Sequence, residues 1–406
     1  MQVEGLMSEP PITHGGAQQD NGLPSNLTKA LQDLAPHNSR AVQRLITGLR
    51  QGGTTEGLKA VPHKAQAAVC AIIFEAPSLT AEIFSSSNAE FNSTLFQGLD
   101  GGQNGDGASR RELHVLLTTR ALHLNSHPGQ ASLPGGKMDA LETPAETALR
   151  ESEEEVYLPT DDEGLVRLGL GKPFISKSTL LVHPYFVLLS PFSTSRILSQ
   201  LRPSPDEVSR IWSHPLRALL SSEAPPGLKL RNPSTVDRHR PAQECYRSFS
   251  DVDWFGGKYR LHRFRSAQEH LKGLTCDILL YAVSLLYASP SFNVHAPQQR
   301  TFDSLVEEIV QRHKRRQGRA SQRWGDGESG DKQGTSEAFG TVQGRDWVAV
   351  AKDEGRDWVA IAKDEVRESL AGLGNGLHSR EGRDERGETR EDPDWVTRRR
   401  RTLVNA

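Results

Sequence analysis

The stretch "HPGQASLPGGKMDALETPAETALRESEEEVYL", His127–Leu158, decides the fold. Thr143 followed by Glu146 makes a capping box, and Pro144 stands in the first turn, where proline is tolerated. The spacing therefore predicts a helix over 144–156. At roughly 100° per residue, Ala145, Ala148, Leu149, Ser152 and Val156 share one arc. Glu151, Glu154 and Glu155 share the arc beside it, while Glu153 points elsewhere into solvent. The helix thus pairs a buried stripe with a carboxylate stripe.

Like charges at that spacing cost a few tenths of a kcal/mol each when solvated. At the edge of a core they cost more, through repulsion and lost hydration. A hard divalent cation, Mg²⁺ or Mn²⁺, offsets that cost, because it takes oxygen ligands and shares its shell with substrate phosphates. A plain acidic surface helix explains the same run, so the residues ahead of it have to separate the two.

Those residues carry a resemblance. Gly136, Glu142, Arg150-Glu151 and Glu154-Glu155 stand at the spacing of the Nudix box, whose family hydrolyses nucleoside diphosphates linked to another moiety. Two positions depart: Ser152 fills an aliphatic slot, and Tyr157 stands where the family usually has a glycine. A glycine there permits the left-handed turn that ends the helix, so tyrosine implies strain or another exit. Further upstream, "LLTTRALHLNSHPGQASLPGG" (116–136) resembles the extended signature of the coenzyme A diphosphatase branch, with Ala121 for serine and Leu133 for phenylalanine. "SPDEVSRIWSHPL" (204–216) and "GLTCDILL" (273–280) look like further segments of that branch.

The resemblance implies an α/β/α Nudix sandwich with a mixed sheet. It implies Glu151, Glu154 and Glu155 as ligands of Mg²⁺ or Mn²⁺, with Glu142 and Arg150 bracing the helix by a salt bridge. Gly135 and Gly136 would form a tight loop against the diphosphate. Arg120 and Lys137 would meet phosphate charge, and His127 with Gly129 belongs to the substrate-side signature. Glu207 is a candidate general base; its alternative is an acid at a helix N-terminus. The implied reaction splits coenzyme A or an acyl-CoA into 3′,5′-ADP and a 4′-phosphopantetheine product. ADP-ribose is the rival substrate, since Pro173 sits near the place of that branch's proline. A fold kept only for binding, with a recruiting tail, is a rival of another class.

Strands and helices alternate around this stretch, as in a layered α/β domain. "SNLTKALQDL" and "NSRAVQRLITGLRQ" read as helices, the second capped by Asn38 or Ser39. "QAAVCAIIFE", "LHVLLTTR", "LVRLGL", "HPYFVLLS" and "GGKYRLHRFR" read as strands, and "LTCDILLYAVSLLYA" as a closing helix. "SPDEVSRIWSHPLRALL" reads as a turn and a helix broken at Pro215. The domain is drawn at 25–300, with a Ser-, Asn- and Gly-rich insertion at 76–112. Residues 1–24 and a charged tail at 313–406 read as disordered. The tail repeats "GRDWVAVAKDE" as "GRDWVAIAKDE" (344–365), a tandem unit that could anchor a protein partner.

Composition agrees with a core smaller than the chain. The 406 residues are 35% hydrophobic with 36 glycines and 23 prolines, and mean hydropathy is -0.55. A formal charge of -2 gathers no nucleic acid. Three cysteines without CxxC spacing suggest a reducing compartment and no zinc site. No apolar run reaches the roughly 20 residues of a membrane span, and no secretory signal or SKL-type terminus is present. An intracellular protein is expected.

Overall fold

The computed structural model describes residues 24–51, 61–77, 111–231 and 245–325. The N-terminal segment, most of the insertion and the repeat-bearing tail lie outside the described residues. Helices α1 (Ser25–Asp33) and α2 (Pro36–Gln51) come first, then strands β1 (Gln66–Ala76) and β2 (Glu112–Arg120). Two short strands follow, β3 (Ala131–Ser132) and β4 (Gly135–Lys137), and lead into α3 (Pro144–Val156). Next come β5 (Leu165–Leu170), β6 (Phe174–Ile175), β7 (Leu181–Leu189), α4 (Pro191–Gln200) and β8 (Val208–Pro215).

These strands form one mixed sheet with the path β3-β2-β1-β7-β5, joined by β4 on β1, β6 on β7 and β8 on β2. β1 runs parallel to β7, from Gln66↔Leu181 to Ile73↔Leu188, and antiparallel to β2 and β4. Its near-continuous apolar run follows from this position, since a central strand is covered on both faces. Ala68, Cys70, Ile72 and Phe74 pack with Ala148 and Val156 of α3. Ala71 and Ile73 pack on the other face with α2 and with a later helix, α5 (Gly273–Leu286). The alternation along one strand therefore sets α3 and α5 on opposite faces of the sheet.

The helix over 144–156 forms at the predicted bounds. The Thr143 hydroxyl accepts from the Glu146 amide, and the Glu146 side chain accepts from the Thr143 amide, closing the capping box. Ser152 is fully buried, and its hydroxyl donates to the Ala148 carbonyl at 2.7 Å. A polar atom in the aliphatic slot is thus satisfied inside its own helix. It also bonds the Cys70 thiol, which burial pushes up to about 12.

Tyr157 keeps the left-handed exit despite its side chain, with φ 57° and ψ 39°. The Tyr157 amide reaches the Glu153 carbonyl at 2.9 Å and the Leu158 amide the Ser152 carbonyl at 3.2 Å, so the last turn is closed around a left-handed residue where glycine is usual. No other exit is taken; the left-handed strain is retained. Such a residue costs about 1 kcal/mol without glycine. Tyr157→Gly is accordingly expected to raise stability by about 1 kcal/mol. The urea midpoint should rise with an unchanged slope; a midpoint that stays put or falls counts against stored strain.

Several expectations are corrected. Residues 208–215 form strand β8 on β2, from His114↔Pro215 to Arg120↔Val208, and not a helix. Val208, Ile211 and Trp212 have helical spacing, but pairing with β2 makes a strand that buries Val208 and Ile211 on the α3 face and Trp212 on the other. Pro215 ends the strand, and 216–220 continues as a short 3₁₀ turn. Asn38 is not a cap. It lies inside α2, fully buried, and donates to Glu75 and to the Arg111 carbonyl. The drawn edges of the insertion, Ala76 and Glu112, belong to β1 and β2.

Beyond the main sheet, β9 (Arg247–Trp254), β10 (Gly257–Phe264) and β11 (Leu271–Lys272) form a second sheet of order β11-β10-β9. The β9–β10 turn places Phe255 and Gly256 at φ 50° and 70°. Two consecutive positive φ values are the requirement of a type I′ hairpin. Helix α6 (Phe302–Gly325) extends past the drawn boundary at 300 and across 313. Its first turns bury Val306 and Ile309, with Val306 packing against Leu181 of β7. Among the described residues, no helix is long and apolar enough to cross a membrane.

Candidate metal and phosphate site

Glu151 and Glu155 leave α3 on one side and converge with Glu207 from the loop before β8. One carboxylate oxygen of each lies within 4.8 Å of the others. Glu155 is 4% exposed. Its Oε2 accepts from the Gly135 amide at 3.3 Å, which ties the cluster to the glycine loop. Burial, then the Glu207 charge, pushes its carboxyl up to about 8, against the opposing pull of Arg120. Glu151 is also raised, first by burial, with Arg150 opposing. Three carboxylates at this spacing favour protonation or a cation.

Backbone bonds bring Glu207 to the helix. The loop amides of Arg202 and Ser204 donate to the carbonyls of Val156 and Glu155, at 3.2 and 2.9 Å. Carbonyls in the last turn of a helix lack intrahelical partners, so the loop docks there. The Glu207 amide then bonds Ser204, and its carbonyl accepts from Ala121 at 2.8 Å. The helix-acid alternative for Glu207 falls, because the residue precedes a strand. These docking amides were not found from sequence, since main-chain donors leave no residue signature.

Arg150 organises the other side. Its Nε and Nη2 form a two-pronged pair with Glu142 at 2.7 and 3.0 Å, while Nη1 reaches Glu151 and Glu154 at 3.0 Å each. Such a fork fixes direction as well as charge. The Arg150 hydrogen bonds hold the Glu142 carboxyl down to about 2, helped by the Thr147 hydroxyl. Glu154 does not join the three-carboxylate cluster; its side chain is 57% exposed and engaged with Arg150 one turn back.

The glycines have distinct reasons. A Cβ on Gly135 would lie 2.4 Å from the Ala68 carbonyl oxygen, so only glycine lets β4 approach β1. A Cβ on Gly136 would sit 2.4 to 2.5 Å from the Glu151 carboxyl atoms. Gly129 takes φ 67°, and its amide bonds the Arg120 carbonyl at 3.0 Å. Arg120 is half-buried and donates from Nε to the Ser126 carbonyl. His127 is exposed, with φ 54°, in the same loop. Lys137 is exposed at the end of β4, and its carbonyl accepts from Arg150. Pro173 stands apart from the cluster, in the wall of a cavity beside α5.

Comparison with known proteins meets this geometry at one point. Residues 105–231 match the NUDIX domain. The match contains α3, the glycine loop and Glu207, but not β1, on which β4 and the parallel strand β7 are built. Nudix hydrolase 15, mitochondrial, from Arabidopsis thaliana is 32% identical over 202 residues, 48% of this chain and 57% of that protein. Nudix hydrolase 3 of Caenorhabditis elegans is 37% identical over 107 residues, 26% of this chain and 42% of that protein. The uncharacterized Nudix hydrolase NudL of Photorhabdus laumondii is 39% identical over 108 residues, 26% of this chain and 54% of that protein. The chain spans about half the length of the curated relatives it matches. Among solved structures, a C. elegans Ap4A hydrolase complex aligns at 15% identity over 37% of this chain and 81% of its own, with a TM-score of 0.24. The match and the relatives support a Nudix domain here, and the mixed sheet with helices on both faces is the α/β architecture expected of it.

Proposed function

We propose that the protein is a Nudix hydrolase of a nucleoside diphosphate derivative, with coenzyme A or an acyl-CoA as substrate. The observation that carries this reading is the convergence of Glu151, Glu155 and Glu207 beside the glycine loop. The donor set suits Mg²⁺ or Mn²⁺: it is all oxygen, and Gly136 leaves space for the Glu151 head. Glu151, Glu155 and Glu207 would hold the cation, with Glu154 joining from the resemblance once it leaves Arg150. A bound divalent cation would neutralise anhydride oxygens and acidify water.

The chain's own residues do the rest. Arg150 aims Glu151, and the Gly135 amide aims Glu155. Water adds to a phosphorus, the anhydride P–O bond breaks, and the departing phosphate takes the electron pair. The proton from water goes to a carboxylate: Glu207 in this proposal, or one of the helix glutamates in its place. Arg120 and Lys137 meet the phosphate charge, and His127 with Gly129 shapes the loop that faces the substrate. The choice of coenzyme A rests on the 116–136 signature, whose residues flank the cluster.

Product analysis tests it. Incubation of the full chain with coenzyme A and Mn²⁺ is expected to release 3′,5′-ADP and 4′-phosphopantetheine, and EDTA is expected to stop the release. Turnover of ADP-ribose in parallel, with coenzyme A untouched, would reject the substrate assignment while keeping the chemistry. Ligand binding without hydrolysis in either metal would reject the enzyme reading.

A further inference from the structure

A cavity of about 870 Å³ lies beside α5, between the β5–β6 segment, β10 and the chain ahead of α6. It is on the α5 face of the sheet, whereas Glu151 and Glu155 project from α3 on the opposite face. Its volume is within the range of small-molecule sites, and the proposed hydrolysis uses none of its groups.

Three features line it. Phe174 and Tyr281 meet edge to face with centroids 5.8 Å apart and offer flat apolar surface. At the rim, the exposed Lys172 sets its amine 5.4 and 5.0 Å from those two ring centroids. At the inner wall stands Asp277 of α5, to which the Tyr259 hydroxyl donates. Burial pushes the Asp277 carboxyl up to about 7, with Tyr259 and the Lys172 charge opposing. Asp277 is half-buried, and the Tyr259 hydroxyl offsets only part of its desolvation. It lines the cavity beside Tyr259, where a ligand donor has room to offset more.

Each feature asks for a different chemical group. The carboxyl accepts from an N–H edge, the rings stack on a planar heterocycle, and the ammonium attracts a compact anion. A purine nucleoside phosphate carries all three in that order along its length. We propose that this cavity is a nucleotide-binding site separate from the carboxylate cluster, with the base toward Asp277 and the phosphate toward Lys172.

Calorimetric titration of the full chain in EDTA tests this without any hydrolysis, because the carboxylate cluster then repels phosphate. AMP is expected to bind at least tenfold tighter than adenosine, and inorganic phosphate alone not to bind. Lys172→Ala should erase the advantage of AMP over adenosine and leave adenosine unchanged. Asp277→Asn should weaken both nucleoside ligands about tenfold. Because Lys172 is at the rim, its variant carries the test should Asp277→Asn fail to fold. Glu151→Gln/Glu155→Gln should bind AMP as the parent does. No AMP binding at millimolar concentration, unaltered AMP affinity in Lys172→Ala, or loss of AMP binding in the double glutamine variant would each overturn the proposal. None of these outcomes depends on whether coenzyme A is cleaved.

Discussion

Glu155→Gln is expected to lower kcat/KM by about 10³-fold or more and, without metal, to make the protein more stable at pH 8. Both effects come from one feature: a carboxylate 4% exposed, between Glu151 and Glu207, with a single backbone amide and the Arg120 charge in its favour. Its folded-state pKa, about 8, lies above the unfolded value. The native state therefore holds a proton that the unfolded chain has released. Stability from this group is full below about pH 4.5 and declines as pH rises through 8. Glutamine does not ionise, so the parent and variant should diverge over that window, by on the order of 2 kcal/mol at its upper end. Thermal melts in EDTA from pH 5 to pH 8.5 read the divergence directly. Equal melting profiles across that range would mean Glu155 is not under charge stress, and unchanged turnover would remove it from the metal site.

Gly136→Ala is expected to reduce turnover about 10²-fold while leaving the fold intact. Gly136 does not use the left-handed region, so alanine suits its backbone. The three atoms nearest the added carbon all belong to the end of the Glu151 side chain, at 2.4 to 2.5 Å, and that end can swing away. Moving it breaks the bond to Arg150 and takes one oxygen out of the three-carboxylate cluster. Gly135→Ala is the control with a different cost, because its carbon meets the Ala68 carbonyl and the Val69 Cα, neither of which moves cheaply. The pair should separate by assay: Gly136→Ala melts near the parent temperature and fails at turnover, whereas Gly135→Ala loses stability first. Full activity in Gly136→Ala would show that the Glu151 head is not held where catalysis needs it.

Much of the scaffold was legible because its signals are local. The capping box at Thr143 and the stripe Ala148, Ser152, Val156 need only residues within one helix, and α3 forms where they predict. The apolar runs at 66–75 and 183–190 read as strands because a central strand is buried on both faces. Strand β9 is not legible in the sequence, since "RSFSDVDW" is mostly polar and exposed, and the Phe255-Gly256 turn lacks the Asn-Gly signature. Residues 208–215 carry helical spacing at Val208, Ile211 and Trp212, and only pairing with β2 makes them a strand buried on both faces.

The sequence by itself determined the glutamate helix, its glycine approach and the residue types able to hold a hard cation, because spacing along one helix fixes which side chains share a face. Only the tertiary structure decided which carboxylates meet. Glu154, adjacent in sequence to Glu155, is held by Arg150 and faces solvent, whereas Glu207, fifty-two residues beyond Glu155, joins the cluster. The unpaired carbonyls at the end of α3 bind the amides of Arg202 and Ser204, and that docking carries Glu207 into place.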